Sequence, residues 1–161
     1  MIKLLEKIDH QLILDTFDAI EKSIVWTEYG HKGKQTGLQY KDNEDPWTSA
    51  VGKGTGSDPN YTNINPAFKD TVFEEYINKY KLLRTRLMWV NPYACYSMHK
   101  DDTPRIHIPL ITNPECYFVF QKGIISNLKQ GSVWWVDTRM FHTFMNCSDH
   151  PRLHLVGVVE K

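Results

Sequence analysis

Apolar residues recur at two different periods along this chain, and the change of period divides it. Over residues 9–24, Ile13, Phe17, Ile20 and Ile24 follow one another at intervals of four, three and four, which places them on one stripe of a helix. Asp9 stands where a helix cap belongs, and Ile24-Val25-Trp26 is expected to run on as a short strand. From Tyr29 to Asn65 the pattern dissolves, and six of the nine glycines (Gly30, Gly33, Gly37, Gly52, Gly54, Gly56) fall there. A loop this long in a compact domain is usually a functional lid or a partly disordered segment. Tyr40, Trp47 and Tyr61 on it either close over a bound molecule or pin the loop to the body of the fold. Helical spacing returns after Asn65-Pro66, a cap followed by a first-turn proline. Phe68, Val72, Phe73, Tyr76, Ile77 and Tyr80 then predict a second helix over 66–81, with a wide apolar face that suits scaffold.

Beyond Lys81 the period falls to two. Short strands are predicted at 84–90, 93–98, 105–112, 116–121, 124–128, 132–137, 142–146 and 152–159, separated by Asn-Pro or glycine turns. So many short strands suit a mainly β fold of the α+β class, a cupin-like jelly roll or double-stranded β-helix with the two helices outside it. The 161 residues are enough for one domain. Residues 1–83 are expected to supply helical support and a lid, and residues 84–161 the barrel.

Composition narrows the partners. Nineteen basic and nineteen acidic residues cancel, so nothing favours nucleic acid or an anionic membrane. No apolar run nears the roughly 20 residues of a membrane helix. The start, MIKLLEKIDHQLILD, carries charges where a signal peptide needs an oily centre, so a cytoplasmic location is expected. Cys95, Cys116 and Cys147 lack C-x-x-C spacing and are expected as reduced thiols. The run Gly52 to Gly56, GKGTG, is not a phosphate loop, because SDPNYTN follows it instead of a helix. No feature of the chain bears on its oligomeric state.

The chemistry concentrates between residues 99 and 154, where five of the seven histidines lie. In His99-Lys100-Asp101, an extended chain points residues i and i+2 to the same side, about 6.5–7 Å apart at Cα. An imidazole and a carboxylate so placed suit a divalent ion such as ferrous iron, which in the two-histidine, one-carboxylate arrangement keeps positions open for substrate and oxygen. His142, just after the strand-like run SVWWVD, is the candidate for the missing histidine. Ten residues later comes Arg152, at the head of RLHLVGVVE. A guanidinium turned into a barrel is costly without an anion, and a carboxylate-bearing cosubstrate would supply one through a bidentate pair.

The ordered series is H-x-D at 99–101, R-x-H-x-P-L at 105–110, G-x-x-W-x-x-D at 131–137 with His142 five residues on, then Asn146 and R-x-H-L at 152–155. Over residues 88–160 it resembles the aspartyl/asparaginyl β-hydroxylase-like branch of the iron(II) and 2-oxoglutarate dependent oxygenases, which includes bacterial proline cis-hydroxylases. H-x-D alone is a weak signal, whereas the series is a strong one. The resemblance implies iron held by His99, Asp101 and His142, 2-oxoglutarate gripped by Arg152, O2 as co-reactant, and hydroxylation of an unactivated C–H bond with release of succinate and CO2. It also puts Arg105 and His107 near the iron and cosubstrate, as groups that hold a carboxylate or polarise substrate; otherwise Arg105 pairs with an acid such as Asp102 and His107 is a core histidine. Trp134 is expected to line the pocket. His154, on the same face as Arg152, is either close to the cosubstrate or bonded to backbone.

Relatives that lend the family its name carry glycine at the position of Asp101, and halogenating relatives also lose this carboxylate. Its presence implies hydroxylation on the proline-hydroxylase side. The implied substrate is a small amino acid or an aspartyl, asparaginyl or prolyl side chain in a polypeptide, with selectivity set by residues 1–87 and the loops. Asp102 should face away from the site, and Asp137 should either order the turn before His142 or accept a hydrogen bond near it. Two rivals use a similar barrel: a non-catalytic cupin-like module binding a metal or small carboxylate, and a hydrolase or isomerase with a divalent ion. Arg152, ten residues past His142, discriminates, because a simple cupin binder has no need of a buried guanidinium there. A cysteine enzyme using Cys95 near His99 lacks a third orienting group.

Overall fold

The computed structural model describes residues 1–52 and 58–159. In chain order its elements are β1 (Ile2–Lys7), α1 (His10–Ile20), β2 (Thr27–Glu28), β3 (Gly33–Gly37), β4 (Gln39–Tyr40), β5 (Asn63–Ile64), α2 (Val72–Lys79), β6 (Leu82–Val90), β7 (Arg105–Ile111), β8 (Cys116–Phe120), β9 (Ile124–Ser126), β10 (Ser132–Val136), β11 (His142–Asn146) and β12 (Arg152–Val159). Seven of the strands form one antiparallel sheet in the order β1-β10-β7-β12-β6-β3-β2. A smaller sheet, β11-β8-β9, faces it as the second layer of a double-stranded β-helix, and β4 and β5 make a two-stranded ribbon.

Alternation along the central strands decides what each layer contains. On β12, Leu153 and Leu155 join Ile106, Ile108 and Leu110 of β7 in a core closed from outside by Ile13 and Phe17 of α1 and Phe73 and Ile77 of α2. The intervening residues, Arg152 and His154 on β12 and Arg105 and His107 on β7, therefore face the interior of the barrel. There a second apolar cluster, with Phe118, Phe120 and Phe144 from the smaller sheet against Val90 and Val136, forms part of the wall. Between β12 and β6 the register skips a residue, from Val156↔Arg86 to Val158↔Leu83. The resulting bulge falls at Arg84, whose φ is +48°.

Several expected elements change at their ends. Asp9 caps α1 as expected, accepting from the Leu12 amide at 3.1 Å. Asn65 caps only the short 3-10 turn Pro66–Phe68; Asp70, at φ +58°, then breaks the helical path, and α2 starts after Thr71. Residues 24–26 form no strand, and pairing begins at Thr27. Residues 93–98 contribute one isolated bridge, Cys95 to Met145, in place of a strand. The three thiols are free, Cys116 buried and the other two exposed. No helix among the described residues is long and apolar enough to cross a membrane.

The glycine-rich stretch departs furthest from expectation. Its residues 33–37 form β3, paired along its length with β6, and β1 adds a strand beyond β10, so the N-terminal part enters the main sheet. Polar side chains hold this stretch in place. Gln39 donates to the carbonyls of Tyr61 and Leu82 at 3.0 and 2.9 Å and accepts from the amide and hydroxyl of Thr85. Trp47 lies edge-on to Phe68, and the Tyr61 hydroxyl donates to Ser49 O, so these aromatics pin the loop. From residue 53 onward the GKGTG run lies outside the described residues.

Gly33 makes the β3 pairing possible. Its φ is +145°, and a Cβ there would sit 2.0 Å from the carbonyl oxygen of Trp89 on β6. Gly33→Ala is expected to lower unfolding free energy by more than about 1 kcal/mol, because the new methyl can be relieved only by parting the two strands. Urea denaturation of the two proteins measures the difference; equal midpoints would show that the β3–β6 contact is not so tight.

Candidate metal centre

His99 and His142 lie opposite each other although neither segment is long. Each donates its backbone N–H to the other's carbonyl, at 2.9 and 2.8 Å, which makes them a hydrogen-bonded antiparallel pair. Side chains of such a pair project to the same face, and the two imidazole centroids are 4.5 Å apart. The Asp101 amide donates to Thr138 O at 2.8 Å, and the Thr138 hydroxyl to Thr103 O at 2.7 Å, so the chain stays registered past the histidine. One potential ligand atom from each of His99, Asp101 and His142 lies within 4.8 Å of the others.

Hydrogen bonds also fix the tautomers. His99 Nδ1 is 2.7 Å from Ser97 O, and His142 Nδ1 is 3.0 Å from Met140 O. A carbonyl can only accept, so each Nδ1 carries a proton, which leaves Nε2 as the ring nitrogen available to a metal. Burial, ahead of all other influences, holds the His142 imidazole toward its neutral form. Two neutral nitrogens and one carboxylate in this arrangement fit a divalent first-row metal such as ferrous iron.

A cavity of about 410 Å³ opens from these three side chains into the barrel. Asp101 is its one acidic residue among the described lining residues, against Lys32, Arg84, Arg86, Arg105 and Arg152. Arg105 Nη2 lies 3.2 Å from Asp101 Oδ1, while its Nη1 donates to Thr103 O at 2.8 Å. Arg105 thus pairs with Asp101, and the exposed Asp102 adds its charge to the same guanidinium's surroundings. His107 is buried; its ring stands edge-on to Phe118, and its Nδ1 has no partner. Burial, then Arg152, pushes the His107 pKa well below the ordinary histidine value. Arg152 lies with its guanidinium carbon 3.5 Å from the centroid of the Phe144 ring. Burial lowers its pKa to about 9, so it stays charged at neutral pH.

Two expected site residues lie elsewhere. Trp134 is not among the cavity-lining residues: its indole N–H donates to Lys129 O at 2.9 Å, and its ring lies against the apolar cluster between the sheets. Its β10 position pairs with His107, but β10 lies one strand further from the cavity than β7, so a shared face does not bring it to the opening. His154 does not line the cavity either; its Nδ1 meets Arg152 Nη2. Asp137 binds Arg139 at 2.7 and 3.0 Å and so orders the turn before His142. Residues without an assigned role from sequence also reach the cavity: Lys32 and Gln35 from the glycine-rich stretch, Tyr96, and Arg84 and Arg86. The arginines had a legible signal, since the R-T-R run on a strand sends both guanidiniums to one side. Arg86 Nη1 donates to Gln35 Oε1 at 3.2 Å, while Arg86 Nε has no partner.

A family model described as aspartyl/asparaginyl beta-hydroxylase matches residues 9–161. Among solved structures, the chain is similar to an oxidoreductase of the 2OG-Fe(II) oxygenase family from Burkholderia pseudomallei, at 14% identity and TM-score 0.65, over 98% of this chain and 82% of that one. It is similar to HygX from Streptomyces hygroscopicus, solved with nickel, 2-oxoglutarate and hygromycin B bound, at 10% identity and TM-score 0.60, over 99% and 83% of the two chains. A Pseudomonas putida prolyl-4-hydroxylase matches at 9% identity and TM-score 0.55, over 100% and 92%. At these identities the likeness is one of fold.

The buried imidazoles make stability depend on pH. His107 and His154 both have pKa values well below the ordinary 6.5. The unfolded chain therefore takes up protons below about pH 6.5 that the native state does not, so stability falls as the solution is acidified. In metal-free protein the expected slope between about pH 6.5 and 5.5 approaches 1.4 kcal/mol per pH unit for each histidine. Denaturation across this range should show a shallower dependence in His107→Phe; an unchanged slope would mean that His107 protonates freely in the fold.

Proposed function

The chain belongs to the aspartyl/asparaginyl β-hydroxylase branch of the iron(II)- and 2-oxoglutarate-dependent oxygenases, and from that premise we propose that it hydroxylates an unactivated C–H bond of a small amino acid or of an amino-acid side chain in a peptide. Succinate and CO2 are the coproducts. The observation that carries this proposal is the facing pair His99 and His142 with Asp101 beside them, both histidines tautomerically set to offer Nε2, in one cavity with a buried arginine. A module that merely bound a metal would not need that arginine.

His99, Asp101 and His142 would hold iron(II), and Arg152 the distal carboxylate of 2-oxoglutarate. Iron bound there, with 2-oxoglutarate and O2, supplies the oxidising power that a C–H bond requires. The protein's own groups do the placing. Arg105, anchored on Thr103 O, pairs with Asp101 Oδ1 and so steadies the carboxylate that would hold the metal. Phe118 and Phe144 provide apolar wall beside Arg152, which strengthens an ion pair formed there by keeping water away. His107, neutral and with an unpartnered Nδ1, can hydrogen-bond a ligand carboxylate or substrate. Arg86 Nε offers an unpartnered donor on the β6 side, which a substrate bearing a carboxylate would satisfy.

Asp101→Ala is expected to abolish 2-oxoglutarate-dependent succinate formation. Near-normal turnover in that variant would remove Asp101 from the ligand set. Anaerobic addition of iron(II) and 2-oxoglutarate to the wild type should give a weak visible charge-transfer band. It should also stabilise the fold by about 2.7 kcal/mol at a hundredfold excess over the dissociation constant; loss of both signals in metal-loaded protein would sink the proposal. Once free amino acids and peptides have been screened for substrate-stimulated succinate release, Arg86→Met should raise the KM of the substrate found and leave 2-oxoglutarate binding intact. An unaltered KM would free Arg86 of a substrate role.

A further inference from the structure

Arg152 bears a charge that the described residues leave without a counter-ion. No carboxylate stands in an ion pair with it, and its Nε has no partner. One polar side chain does touch it: Nη2 donates to Nδ1 of His154. A guanidinium has only hydrogens to offer, so Nδ1 must be the acceptor, and His154 is then a neutral imidazole with its proton on Nε2. His154 is 1% exposed, boxed in by the rings of His107 and Phe144 at 5.8 and 6.2 Å. It does not line the cavity itself, and Arg152 is the cavity-lining side chain to which it is hydrogen-bonded.

We propose that His154 is a positioning residue for the anion site: it takes one Nη2 hydrogen of Arg152, locks the guanidinium against the Phe144 ring, and so aims the remaining donors into the cavity. This rests on Arg152 being the anchor for the distal carboxylate of 2-oxoglutarate. The choice of side chain has a physical logic. An aspartate or glutamate in the same place would orient the guanidinium too, but it would neutralise the charge and compete with the ligand's carboxylate for the same donors. A neutral imidazole orients the cation and leaves its charge free for the ligand. The ring of Phe144, 3.5 Å away, does the same from the other direction, because a π face accepts a cation without cancelling it.

The test compares wild type with Arg152→Gln, His154→Leu and His154→Asn, each loaded with manganese(II) and titrated with 2-oxoglutarate by calorimetry. Arg152→Gln should lose binding. His154→Leu should bind about tenfold or more weakly, the scale of one hydrogen bond to a charged group. His154→Asn, whose Oδ1 replaces Nδ1 as acceptor, should stay close to wild type. Manganese affinity without 2-oxoglutarate should be the same in all four, and in steady-state assays with iron His154→Leu should raise the 2-oxoglutarate KM more than it lowers kcat. Packing alone predicts the opposite order, since asparagine leaves the larger void. The inference is overturned if His154→Asn binds as weakly as His154→Leu, or if His154→Leu binds like wild type while Arg152→Gln does not. If Arg152→Gln itself binds 2-oxoglutarate normally, the anchor assignment fails independently of His154.

Discussion

Two backbone hydrogen bonds, exchanged between His99 and His142, are the constraint on which this cavity depends. They lie outside the regular strand pairing and bring together an irregular segment, residues 91–104, and the first residue of β11. A one-residue slip in an antiparallel pair turns every side chain to the opposite face. Here it would send one imidazole out of the cavity and leave its partner alone. The bridge is supported on both sides. β11 is held along its whole length by β8, and Thr138 ties the backbone at Asp101 to that at Thr103.

The second constraint is the unusual content of the inner face of the main sheet. Strands that carry leucine and isoleucine outward, under the helices, carry arginine and histidine inward. Burying several guanidiniums around a single carboxylate is unfavourable in itself, since each loses hydration that one acid cannot replace. The chain limits the penalty by spreading the hydrogen-bonding load over backbone carbonyls: Thr103 O for Arg105, and Ala50 O and Gly52 O for Arg84. Burial meanwhile keeps the histidines near Arg152 uncharged. What remains is excess positive potential in a confined space, which favours anionic ligands and costs the empty fold stability.

Period-two alternation made the strands of the C-terminal half legible, because their outer face is continuously apolar. The same alternation placed His99 with Asp101 and Arg152 with His154. It failed at Trp134, where sharing a face was not the same as being near: β10 stands one strand further from the cavity than β7. It failed at residues 93–98, whose period matched a strand although only a single bridge formed. β3 was hidden for a different reason. Its run GKQTG has no apolar pattern, because close backbone approach at Gly33 and side-chain hydrogen bonds from its surroundings hold it, and neither leaves a periodic trace. The second helix was overextended because Asp70 adopts a left-handed conformation that no residue type around it announces. The R-T-R run of β6 carries its inward charge in the sequence as openly as its strand pattern.

β1 has a consequence that reaches beyond the cavity. It is the outermost strand beside β10, whose sequence, Ser132-Val133-Trp134-Trp135-Val136, contains no charge, proline or glycine. Stripped of β1, such a segment would present bare amides and carbonyls along an aromatic, uncharged ribbon, the kind of edge that recruits strands from other molecules. The first seven residues cover that edge and place Lys3, Glu6 and Lys7 along the new border, charges of the kind that discourage further strand pairing. Fusions or truncations that loosen this terminus should therefore be judged first by whether they promote aggregation.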